Sequence, residues 1–161
     1  MTTDFDNPFA IIARHQTSVP IDVELLATDL GLKVYHADLG DDIYGKLTRD
    51  ASKGGWSKYA VFVNKTNHPN RQRFTLAHEI AHFVLHRDLI EDGIIDDTQY
   101  RSTLSSDHET QANKLAADIL MPRALVRAEF QRNRAIAPLA VRFQVSEAAM
   151  KIRLESLRLG A

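Results

Sequence analysis

His78-Glu79-Ile80-Ala81-His82 decides the reading of this 161-residue chain, because it sets two imidazoles and a carboxylate close together in an apolar context. In an α-helix, residues four apart lie one turn apart, about 6 Å along the axis at ~1.5 Å per residue. Their side chains lean the same way. His78 and His82 can therefore reach a single ion, with Glu79 beside it. The surroundings Phe74 to His86 have helix character, with Leu76, Ile80, Phe83 and Val84 at core-facing spacing. The plainer alternative is a solvated surface helix, but such a helix would not be this apolar. Inside a buried one, two histidines and a glutamate are expensive unless coordinated or hydrogen-bonded.

This is the His-Glu-x-x-His spacing of zinc peptidases, where the histidines bind the metal and the glutamate is the general base. Three protein ligands are usual, leaving one position for water. Glu109 is the candidate third ligand, at the start of a predicted helix running to Leu120 and capped by Ser106 or Asp107. Its alternative reading is a first-turn acid favoured by the helix dipole. Ala112, Ala116 and Ala117 would let that helix lie close to its neighbour, and Asn113 is placed to hold a supporting hydrogen bond.

Arg71 to His82, followed by Leu85-His86, resembles the signature of the ImmA/IrrE metallopeptidases. The run Glu109-x-x-Ala112-Asn113-x-x-Ala116-Ala117-Asp118-Ile119-Leu120-Met121-Pro122 is similar to that family's second motif, and Val61-Phe62-Val63-Asn64 to the strand before its metal helix. The similarity runs from about Pro20 to Leu157. It implies Glu109 as the third ligand and a zincin-type HExxH site. It also implies a site-specific protease that cleaves a helix-turn-helix repressor and releases repressed genes, in mobile elements or stress responses. Zinc suits the two-His, one-carboxylate set, and manganese or iron would fit the same donors. The ion would lower the pKa of its water from about 15.7 to about 7, with Glu79 as catalytic base. A reading from another class is a non-proteolytic partner-binding protein, half of a toxin–antitoxin-like pair with a helix-turn-helix protein. The intact Glu79 speaks for catalysis, since a binder needs no base.

His86 lies a further turn on, about 12 Å from His78, too far to share the ion. It reads as a helix C-terminal imidazole or a group lining the cleft. His108, beside Glu109, faces the site or solvates a turn. Arg87 to Asp107 reads as a long loop, with Asp88, Glu91, Asp92, Asp96 and Asp97 making its first half acidic. Tyr100 and Arg101 within it are candidate oxyanion stabilisers, as are His86 and His108.

The composition, 44% hydrophobic and 25% charged, is that of a globular protein with a core. No cysteine occurs, which excludes disulfides and thiolate zinc sites. The acidic start, Met1 to Asp6, has no apolar run of signal-peptide type, and nothing approaches membrane-spanning length. A cytoplasmic protein with no membrane partner is expected. The net charge of −1 hides an asymmetry: eight Lys/Arg against three Asp/Glu from Met121 onward, and twelve against eighteen before it. Direct nucleic-acid binding through the basic end is the weaker reading; a solvated face accounts for so modest a bias.

Along the chain, helices are expected over Phe5–Arg14 and Pro20–Leu30, the latter stopped by Gly31. Strands are expected over Leu32–His36, Ile43–Thr48 and Trp56–Asn64, the last two joined by Ser52-Lys53-Gly54-Gly55. Tyr59–Asn64 is either the edge strand that receives an extended substrate or an ordinary half-buried strand. A helix should follow Pro122 to about Arg132. Ala137 to Leu154 resembles a helix-turn-helix with Ser146 capping its second helix. Glu147, Ala148 and Ala149 are poor base-reading residues, so packing or partner recognition is its expected role. The expected fold is α+β: a small antiparallel sheet of about three strands packed on a helical core with the HExxH helix, then a helix-turn-helix-like segment. Residues 1–121 would form the metallopeptidase domain and 122–161 the C-terminal helical segment packed on it.

Overall fold

The computed structural model describes residues 7–89, 94–98 and 106–160. Two short helices lead in, α1 (Pro8–Arg14) and α2 (Val23–Asp29), each capped by an aspartate or asparagine: Asn7 accepts from Phe9 and Ala10, Asp22 from Leu25. Then come β1 (Leu32–Ala37), β2 (Ile43–Arg49) and β3 (Tyr59–Asn64), followed by the long helix α3 (Pro69–His86). A 3-10 turn (Arg87–Leu89), β4 (Ile94–Thr98), α4 (Ser106–Leu120), α5 (Arg123–Arg132), α6 (Ile136–Phe143) and α7 (Glu147–Ser156) complete the order. The class is α+β.

The sheet is mixed rather than antiparallel, with spatial order β1-β3-β2-β4. β2 pairs antiparallel with both β3 and β4, whereas β1 runs parallel to β3, Val34 opposite Val61. Asn64, buried at the end of β3, makes this crossover. Its amide donates to the carbonyls of Gly40 (2.7 Å) and Ile43 (2.8 Å), holding the β1–β2 connection across the end of the central strand. Its oxygen accepts from Thr66. The third strand starts at Tyr59 instead of Trp56, because Lys58 takes a left-handed φ of 72° and the residues before it form a turn.

Tyr59–Asn64 is not an edge strand. Both its sides are paired, so it has no open ladder for a substrate, and all its residues except Phe62 are buried as a central strand requires. The expected long loop after α3 also carries structure: the 3-10 turn and β4, which covers the outer side of β2. Tyr100 and Arg101 lie outside the described residues. α4 begins at Ser106, so Ser106 and Asp107 sit in its first turn rather than capping it.

One core runs through these elements. Leu47, Val61 and Val63 of the sheet meet Leu76 and Ile80 of α3, and the same cluster continues through Ile119 and Leu120 to Phe130, Phe143, Met150 and Leu154. Arg73 of α3 bonds the carbonyls of Ile21, Phe143 and Gln144, and Arg153 of α7 bonds Met121 and Asp118. Gln144 ends α6 in the left-handed conformation, and Ser146 caps α7 through the amide of Ala149. Among the described residues no helix is long and apolar enough to cross a membrane.

Candidate metal centre

α3 begins with Pro69 at its first position and the His68 ring accepting from Asn70, an entry that suits a residue lacking an N–H. Its buried face carries Ala77, Ala81, Leu76 and Ile80, and α4 presents Ala112 and Ala116, all at most 2% exposed. With methyl groups on both sides, the two helices pack closely enough for side chains whose donor atoms reach about three bonds beyond Cβ to meet between them.

Those side chains are His78, His82 and Glu109. The rings of His78 and His82 stand perpendicular, centroids 4.6 Å apart. Glu109 Oε1 lies 3.2 Å from His78 Nε2 and Glu109 Oε2 lies 3.1 Å from His82 Nε2. One donor atom from each residue falls within 4.8 Å of the others. Burial pushes the His82 imidazole below its ordinary pKa, against the pull of Glu109. For Glu109, burial works to raise the pKa, but hydrogen bonds from both imidazoles and their charge hold it far below the usual carboxylate range. Neutral imidazole and ionised carboxylate are the forms that ligate.

Glu79 lies in the same turn and is fully buried. Neither of its carboxylate oxygens meets a hydrogen-bond donor among the described residues. Such a group costs about 1–3 kcal/mol, more when charged. The donor set and this uncompensated acid fit a divalent cation with a water beside it.

The site opens into a cavity of about 220 Å³ lined by Tyr44, Arg71, Phe74, Thr75, His78, Glu109 and Asn113. Arg71 stacks over the Tyr44 ring at 4.7 Å. Gly45 lets β2 approach α3: a Cβ there would stand 2.5 Å from the Thr75 methyl and 3.7 Å from Glu79 Oε2. The sequence alone gives Arg71, Tyr44 and Gly45 no role in the site: Arg71 stands there only as the start of the family-like motif, and the other two as members of the Ile43–Thr48 strand. Arg71, Phe74 and His78 share a helix face by their spacing, so two of the lining residues had a signal; Tyr44 and Gly45 come from a strand whose placement is long-range.

His86 closes α3, buried, and is not among the three converging donors. Its Nδ1 lies 3.0 Å from His82 Nδ1, and its Nε2 lies 2.7 Å from Gln111 Oε1. The His108 ring packs against it at 4.8 Å. Asn113 lines the cleft; beyond the contacts of Glu109 itself, α4 supports the α3 histidines through Gln111, which meets His86.

Two imidazoles from one helix and a carboxylate from the next, with a buried acid on the same turn as the imidazoles, form the arrangement by which metal-dependent peptidases present their ligands. The chain belongs to the peptidase family described as the IrrE N-terminal-like domain, which matches residues 27–155. It is 41% identical over 92 residues to the radiation response metalloprotease IrrE of Deinococcus radiodurans, a match spanning 53% of this chain and 27% of that protein. The IrrE of Deinococcus deserti is 39% identical over 94 residues, 55% of this chain and 33% of that one. The match thus takes in only about a quarter to a third of each relative's length. A transcriptional regulator from Mycobacterium tuberculosis shares the fold, with a TM-score of 0.60 and 20% identity over 96% of this chain and 47% of its own.

Proposed function

We propose that this chain is a zinc-dependent endopeptidase of the cytoplasm, with His78, His82 and Glu109 as metal ligands and Glu79 as catalytic base. The observation that carries the reading is the Glu79 carboxyl, buried without a donor among the described residues, on the helix turn that carries both converging imidazoles. A ligand-binding protein has no use for such a group. Family membership and the relatives' description as metalloproteases support it.

A divalent ion bound there supplies Lewis acidity, activating water and polarising a peptide carbonyl. Glu79 accepts the proton of the attacking water and returns it to the leaving amine, as acid–base catalysis requires. Arg71 and Tyr44, at the mouth of the cleft, orient the peptide.

The substrate we infer is a helix-turn-helix transcriptional repressor, cut at one site so that its genes are released. That class follows from the resemblance to ImmA/IrrE proteases. In the same reading residues 1–121 carry the chemistry, and the basic segment 122–161, helix-turn-helix-like in its α6–α7 pair, contributes to partner recognition rather than to base reading.

The test is co-expression with helix-turn-helix repressors from the same genome, wild type against Glu79→Gln. The wild type should yield a truncated repressor and the variant an intact one, with zinc content equal in both. Cleavage by the variant at the wild-type rate would remove Glu79 from the mechanism.

A further inference from the structure

We propose that Gln111 and His86 form a positioning pair that sets the proton arrangement and ring orientation of His82 for ligation. This rests on the metal-centre reading above. Hydrogen-bond polarity fixes the arrangement. Two ring nitrogens 3.0 Å apart, His82 Nδ1 and His86 Nδ1, share one proton: one donates and the other accepts. His82 can offer Nε2, the nitrogen facing Glu109, to a cation only if that nitrogen is bare. The proton of neutral His82 must then sit on Nδ1 and be donated to His86 Nδ1. A neutral His86 accepting there carries its own proton on Nε2, which needs an acceptor. Gln111 Oε1 stands at 2.7 Å in that place.

The polarity therefore runs His82 Nδ1–H to His86 Nδ1, then His86 Nε2–H to the Gln111 carbonyl. Each link spans a helical turn or the gap between α3 and α4, so the Gln111 amide reaches the His82 ring from a different helix. The His108 ring against His86 limits its rotation. Partners of this kind fix the tautomer and orientation of metal-binding imidazoles, and losing them costs about 10- to 100-fold in metal affinity. A histidine in this role is ambivalent, because either nitrogen can carry the proton; the glutamine supplies the bias.

Gln111 is exposed and makes no part of the cleft lining, so its substitution leaves the fold intact. Gln111→Met keeps its length and removes the acceptor. Gln111→Glu keeps the acceptor and removes the donor, so with His86 neutral it supports the ligating polarity; the comparison is made above about pH 8 to keep His86 neutral. Zinc affinity by competition with a chromophoric chelator should fall about 10- to 100-fold in Gln111→Met and stay within a few-fold of wild type, or tighten, in Gln111→Glu. In the zinc-loaded wild type, long-range proton–nitrogen NMR should find His86 protonated on Nε2, a preference that Gln111→Met loses and Gln111→Glu retains. The pair is refuted if Gln111→Met binds zinc as tightly as wild type with the His86 signature unchanged, or if Gln111→Glu loses as much affinity as Gln111→Met. A wild-type chain that takes up no zinc at all would overturn the metal-centre reading itself, and the proposal with it.

Discussion

Gly45→Ala tests whether β2 is held against the metal helix by the absence of a side chain. The added Cβ would lie 2.5 Å from Thr75 Cγ2 and 2.8 Å from the Phe62 carbonyl oxygen. Carbon atoms rest comfortably at about 3.5–4.0 Å, so the first contact is short by roughly 1 Å and the second involves backbone that cannot rotate away. Thr75 is buried on a helix, where a β-branched side chain has few rotamers to escape into. Overpacking of this kind costs about 1–3 kcal/mol, offset by about 0.4–1 kcal/mol of reduced unfolded-chain entropy. A net loss of about 1–2 kcal/mol follows, or about 2–8 °C in Tm at 2–4 °C per kcal/mol. Urea denaturation of the metal-free chain measures it. Thr75→Ser removes the methyl that is struck, so the double variant should recover part of the loss, with a coupling of at least about 0.5 kcal/mol. An alanine variant as stable as wild type, or a cycle with no coupling, would show that β2 is not seated on α3 as described.

The remaining predictions concern the proposed ligands and their protons. His82→Ala or Glu109→Ala should abolish stoichiometric zinc uptake by elemental analysis; an unchanged zinc content in either would remove that residue from the ligand set. Stability of the metal-free chain should fall with acid. Burial holds native His82 below its ordinary 6.5, so on acidification the unfolded chain takes that proton first. Stability is then full above about pH 6.5 and declines below it. Glu109, depressed from 4.5 by its histidine partners, adds stability above about pH 4.5 that is lost as the pH falls further. Urea midpoints across this range check the sign, and a midpoint rising below pH 6 would contradict it.

What could be read in advance was local. The i, i+4 spacing of His78 and His82, the apolar positions around them and the Gly31 stop depend on neighbours within one or two turns, and the elements stand close to where that periodicity puts them: β1 over Leu32–Ala37, β2 over Ile43–Arg49, α5 ending at Arg132. Partners across the fold left no such trace. The parallel pairing of β1 with β3 is braced at its end by a buried asparagine, Asn64, reaching carbonyls 21 and 24 residues earlier. β4 lies in an acidic stretch with little alternation, where strand propensity is weak. Gln111 reaches His86 only because the alanine faces of α3 and α4 come together, and nothing in its own neighbourhood marks it. Helix geometry sets His86 a further turn from His78, outside the three converging donors, yet its tie to the His82 ring follows from the same i, i+4 rule that pairs His78 with His82.

The deepest question about the site is why a stable core tolerates Glu79 at all. Its neighbours Leu76 and Ile80 are buried to within 2%, each contributing about 1.5–3 kcal/mol, so the helix can carry an acid that costs about 1–3 kcal/mol or more. That cost separates a working group from a structural one. A glutamate retained for folding would be bonded to something, and its removal would destabilise the chain. A glutamate retained for chemistry is a burden on the resting fold, as functional groups in buried sites commonly are. Glu79→Gln, which removes the charge at nearly constant volume, should therefore leave the metal-free chain at least as stable as wild type while cleavage disappears. A loss of several kcal/mol in its urea midpoint would instead make Glu79 a structural residue, and the hydrolytic mechanism would need another base.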